Sequence, residues 1–111
     1  MYKISQLTCF MQQDTMMIFR EIIEVCNRYL RGELNVKAFE SGFDKLVFRQ
    51  EEELMQQVEA FRHIEAIRSA MEVFEPLAAD RATDASLIDE TELQRIVRLN
   101  AKALTSMQDG F

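Results

Sequence analysis

Apolar residues recur at intervals of three and four along most of this chain, and almost nothing interrupts them. From Asp14 to Arg31, one stripe carries Ile18, Ile22, Val25, Cys26, Tyr29 and Leu30, while Arg20, Glu21, Glu24, Asn27 and Arg28 take the other side. That period belongs to a helix with one buried face. Three Gly and one Pro in 111 residues are too few for a sandwich or barrel, which needs a turn about every 8 to 12 residues. The 48 % apolar content supplies a core, and 29 % charged residues keep the rest solvated. One helical domain is therefore expected over residues 14–108. Residues 1–13 carry no strong pattern and read as an N-terminal extension.

The punctuation supports four helices. Asp14 is placed to cap the first, and Arg31 with Gly32 fits a terminus closed by a left-handed glycine. Asn35 is placed to cap a second helix whose apolar face is Val36, Phe39, Phe43, Leu46 and Val47. So short a link forces the two into an antiparallel hairpin. Gly42 lies inside that pattern and marks a close helix crossing. The polar stretch 49–53 predicts a break. A third helix then presents Leu54, Val58, Phe61, Ile64, Ile67, Met71 and Phe74 until Pro76 stops it. Residues 77–88 read as a linker with Leu77 and Ile88 tucked inward. Asp89 and Glu92 form a capping-box variant ahead of a fourth helix bearing Leu93, Ile96, Val97, Asn100, Leu104 and Met107. Four one-sided stripes satisfy each other around a shared core, so the expected fold is all-α, a small antiparallel four-helix bundle.

Little in the chain suggests catalysis. The single histidine, His63, has Glu59 four residues before it and Ala60 three before it, so the Glu-x-x-His pattern of carboxylate-bridged metal bundles fails. There is no Gly-rich phosphate loop, nucleophile elbow or Cys-x-x-Cys pair. Cys9 and Cys26 make no disulfide framework and read as free thiols of a reducing compartment. No enzyme activity, cofactor, metal or small-molecule ligand is expected. Neither a secretory signal nor a run of about 18 apolar residues is present. A soluble, cytoplasmic protein is expected.

Charge is the informative feature. The net charge is −6, with 13 basic and 19 acidic residues, which disfavours nucleic acid and anionic membranes as partners and suits a basic protein. Between Glu72 and Glu92 lie seven acids, Glu72, Glu75, Asp80, Asp84, Asp89, Glu90 and Glu92, and one base, Arg81; the remainder of the chain balances. Asp89, Glu90 and Glu92 are accounted for by the positive end of the fourth helix. Glu72 and Glu75, three apart on the third helix, repel each other by a few tenths of a kcal/mol and suit a cationic partner. The run Glu51–Glu53 reads as solvated surface, offset by Lys45, Arg49 and Arg62.

At this same segment the chain resembles the colicin D immunity family. The similarity is carried by Phe74-Glu75-Pro76, Ala79-Asp80-Arg81 and Ile88-Asp89-Glu90 leading to Leu93. It extends to Tyr29-Leu30, Arg31-Gly32-Glu33-Leu34 and Phe39-Glu40, covering about residues 17–106. The resemblance implies a small acidic helical immunity protein that binds a toxin nuclease, often a tRNase of a colicin or contact-dependent inhibition system. It implies a 1:1 complex in which carboxylates occupy the basic active-site cleft. By position, Glu72, Glu75 and Asp80 are the leading contacts, with Asp84, Asp89 and Glu90 beside them. The family places an acid after the proline, whereas this chain has Leu77 and a linker one residue longer, which implies a different cognate toxin and leaves Asp84 to compensate. Arg81 is expected to pair with a neighbouring carboxylate and hold the linker. The alternative is a helical interaction or regulatory module, homodimeric through its N-terminal extension, with a non-toxin partner.

Overall fold

The computed structural model describes the backbone of residues 2–109 and the side chains of residues 15–108. Within those residues the periodic segments form six helices: α1 (Tyr2–Leu30), α2 (Val36–Arg49), α3 (Glu51–Gln56), α4 (Val58–Val73), α5 (Ala78–Arg81) and α6 (Glu90–Asp109). The all-α expectation holds. The count of four does not, because the expected third helix is split in two and the linker contains one helical turn.

The first hairpin follows its local chemistry. Gly32 adopts φ 81°, and the Gly32 N–H donates to the Tyr29 carbonyl at 3.0 Å while that of Glu33 reaches Arg28 at 2.9 Å. These paired bonds satisfy the last carbonyls of α1. Asn35 then caps α2, its Oδ1 accepting from the Ala38 N–H at 2.8 Å. The chain turns back, so the Tyr29 and Phe39 rings stack with centroids 4.5 Å apart, and Glu21 meets Arg49 at 3.6 Å farther along. Gly42 sits where the two helices cross: a Cβ there would lie 3.3 Å from Val25 Cγ2.

Long-range bonds fix the other helices. Tyr29 donates to Glu90 at 3.1 Å and Gln108 donates to the Met16 carbonyl at 3.2 Å, so α6 runs antiparallel along α1. His63 Nδ1 meets Asn100 Oδ1 at 2.8 Å between α4 and α6. Asn100 Nδ2 is committed to the Ile96 carbonyl at 2.8 Å, so its oxygen faces the ring and Nδ1 is the donor. Phe19, Ile22, Cys26, Tyr29, Phe39, Phe43, Ile64, Ile67, Leu93 and Val97 are buried. Each large apolar side chain contributes about 1.5–3 kcal/mol relative to exposure.

Several local expectations are corrected. Helical backbone continues N-terminally to Tyr2, so Asp14 lies inside α1 and not at its start. The expectation of a pairing role for residues 1–13, Cys9 among them, concerns side chains outside the described residues. Gln57, at φ −90° and ψ 73°, separates α3 from α4. That break turns the buried stripe onto Ala60, Ile64, Ile67 and Ala70 and leaves Val58 64 % exposed. Leu77, expected inside, is 60 % exposed, whereas Ile88 packs against the core as expected.

Candidate functional site

The segment from Glu72 to Glu90 is built by the way α4 stops and α6 starts. Proline disfavours helical backbone at the residue before it, and α4 ends at Val73 with Phe74 already extended at ψ 127°. Phe74 and Ile88 then pair as an isolated parallel bridge. The Ile88 N–H donates to the Val73 carbonyl at 2.8 Å, and the Glu75 N–H donates to the Ile88 carbonyl at 2.9 Å. Both ends of the linker are thus clamped side by side, with Glu75 on one strand of the clamp and Asp89 and Glu90 immediately after the other.

Each sequence-predicted residue can now be located. Glu72 is exposed on the last turn of α4. Glu75 lies beyond that helix, which corrects the expectation that the two share a helical face. Its carboxylate instead accepts from the Leu77 N–H at 3.2 Å, and its carbonyl accepts from Arg81 Nη1 at 2.6 Å. Arg81 therefore holds the linker, but through a backbone oxygen rather than a carboxylate. Asp80 is exposed in α5. Asp84 Oδ1 accepts from Ser86 N–H at 2.9 Å and Ser86 Oγ at 2.8 Å, and these bonds hold its carboxyl below the usual carboxylate range.

At the start of α6, Asp89 Oδ1 accepts from the Glu92 N–H at 2.9 Å. This is half of a capping box, because Glu92 turns away to Arg95, with a bond of 3.0 Å to Nε. Arg95 lowers the Glu92 carboxyl. Glu90 accepts from the buried Tyr29 hydroxyl. Burial, then the bond to Glu90, pushes the Tyr29 hydroxyl well above its ordinary value. The six candidates consequently differ in kind. Asp84 and Asp89 hold backbone, Glu75 and Glu90 are tied to neighbours, and Glu72 and Asp80 form no ion pair among the described residues.

The fold also recruits acids that the sequence reading missed. Glu40 and Asp44 of α2 share a groove with Glu72 of α4. They are four residues apart on one helix face, the same like-charge signal that singled out Glu72 and Glu75. Burial, and then Asp44, raises the Glu40 carboxyl. The run Glu51–Glu53 is solvated in part: Glu51 pairs with Arg68 at 3.4 Å, whereas Arg62, expected to offset it, pairs with Glu59 at 3.7 Å.

Among the described residues no cluster of three or more His, Cys, Asp or Glu side chains is arranged to hold a metal ion. No helix there is long and apolar enough to cross a membrane. Compared with known protein families, with curated proteins and with solved structures, the chain matches none.

Proposed function

We propose that this protein is an immunity protein of the colicin D immunity type, which binds a cognate bacterial toxin nuclease, a tRNase, and blocks its basic active-site cleft with carboxylates. In this reading the four long helices act as an antiparallel four-helix bundle that holds the acidic linker at one end. The complex is a 1:1 heterodimer formed in the cytoplasm, and the protein itself performs no catalysis. The observation that carries the reading is the clamped segment from Glu72 to Glu90. The Phe74–Ile88 bridge anchors a loop that carries exposed Asp80 just beyond exposed Glu72 on the last turn of α4, and neither acid has a cationic partner among the described residues. Uncompensated carboxylates on an anchored loop are pre-organised for a cationic surface, and such complementarity speeds association towards about 10⁸ M⁻¹s⁻¹ at low salt. Asp84, Asp89 and Glu90 shape the loop and add to its field.

The test is tRNA cleavage by the proposed cognate toxin nuclease domain, with and without an equimolar amount of the protein. Loss of cleavage is the expected result. Undiminished cleavage contradicts the proposal, and a tight homodimer burying residues 72–92 would favour the interaction-module alternative.

A further inference from the structure

Next to the acidic segment, α2 and α4 line an open groove of about 610 Å³, a size that receives a few side chains. Its floor is apolar, made by buried Val47 and half-buried Met71. Phe48 stands at the groove with 82 % of its surface exposed. Its neighbour Val47 completes the buried stripe of α2, so packing within the chain does not use this ring.

The polar wall is unbalanced. Glu40 and Asp44 project from α2 and Glu72 from α4, and none of them forms an ion pair among the described residues. Of the two cations lining the groove, Arg68 is engaged by Glu65 at 2.9 Å and Glu51 at 3.4 Å. Only Lys45 remains to offset three carboxylates. Burial first, and Asp44 second, raises the Glu40 carboxyl, and an arriving cation favours its charged form.

We infer that this groove seats a short segment of the partner protein, with a Lys or Arg side chain among Glu40, Asp44 and Glu72 and an adjoining bulky apolar side chain over Phe48 and Met71. Charge complementarity selects the cation, and the exposed ring beside an apolar floor selects its neighbour. The partner's identity rests on the proposed function. The groove adds to it a second region of contact, which meets the linker acids at Glu72 and depends on apolar burial as well as charge.

Calorimetric titration of the nuclease domain into three variants tests the inference. Phe48→Ser and the double variant Glu40→Gln with Asp44→Asn should each weaken binding at least tenfold or so, as central anchors do. Melting curves identify a variant that has lost its fold, and the other then decides. If both bind as the parent does while Asp80→Lys binds more weakly, the groove is overturned and the proposed function stands. If the unaltered chain does not bind the nuclease, the proposed function fails. The groove is then judged by the peptide acetyl-Leu-Lys-Phe-amide at millimolar concentration: NMR shifts confined to Phe48, Met71 and their neighbours uphold it, and their absence overturns it. A homodimer that Phe48→Ser dissolves would assign the groove to a second copy and overturn the stated occupant.

Discussion

At the scale of single residues, two buried protons set how the fold responds to alkali. Cys26 is fully buried, and burial pushes its thiol from 9.0 up to about 12. Tyr29 is raised as well, by burial and by the bond to Glu90. Both acids keep their protons in the folded state at pH values where the unfolded chain has lost them. Stability from this source is complete below the unfolded values and falls as pH rises, by up to about 1.4 kcal/mol per pH unit for each group. Cys26 acts from pH 9 upward, and Tyr29 joins it above pH 10. Urea unfolding between pH 8 and 11 should show this decline, with a shallower slope in Cys26→Ala. An identical slope in the variant would mean that the thiol is not the group responsible. Carboxylates behave oppositely: Asp84 and Glu92, lowered by Ser86 and Arg95, favour the fold above their unfolded values and cease to do so as acid protonates them.

At the scale of elements, two glycines that look alike in sequence have different duties. Gly32 occupies left-handed backbone, with nothing within 4 Å of where a Cβ would stand. Gly32→Ala therefore costs only backbone strain, about 1–2 kcal/mol. Gly42 is helical and costs about 1 kcal/mol relative to Ala, but its missing Cβ would press on Val25 Cγ2 at 3.3 Å. Gly42→Ala should thus fail to yield the stabilisation that helix propensity alone promises. Thermal unfolding of the two variants checks both statements, and a gain of about 1 kcal/mol for Gly42→Ala would show that the crossing is not tight.

The same elements show what was readable without coordinates. The Gly32 terminus, the Asn35 cap and the stripes of α1, α2 and α6 are local, because each depends on residues within a turn or two, and the crossing at Gly42 follows from the short link that folds α2 back on α1. The break at Gln57 was not legible. No Gly or Pro marks it, and Leu54, Val58 and Phe61 continue a helical spacing straight through it. The true stripe of α4 includes Ala60 and Ala70, whose small side chains signal burial weakly. The linker acids were legible as a charge cluster. The bridge that anchors them was not, since it joins Phe74 to Ile88 across the linker. Nor was the α2–α4 groove, which exists only once two distant segments pack.

At the scale of the whole molecule, charge is distributed by purpose. Half of the cations among the described residues are spent locally, among them Arg49 on Glu21, Arg62 on Glu59, Arg68 on Glu65 and Arg31 on Glu24 and Glu33. Paired charges of this exposed kind contribute little to stability, about 0–1 kcal/mol each. Among the carboxylates left without an ion pair, Glu40, Asp44, Glu72 and Asp80 contribute to an uncompensated field that acts over about a Debye length. Binding to a basic nuclease should accordingly weaken with salt mainly through its association rate. Charge reversal at Glu72 and Asp80 should reduce that salt dependence.

The most direct measurement is the dissociation constant of the proposed complex with a toxin tRNase domain, determined for two charge-reversed chains of equal net charge. Glu52 and Glu53 are exposed, lie on α3 outside the residues that line the groove, and take no part in the ion pairs of the described residues. Glu72→Lys with Asp80→Lys should weaken binding by about tenfold per reversed charge (~1.4 kcal/mol each), while Glu52→Lys with Glu53→Lys changes it less than about threefold, as expected for charges outside an interface. Equal losses in the two chains would contradict the account, because the acidic surface would then act through net charge alone and not as a site.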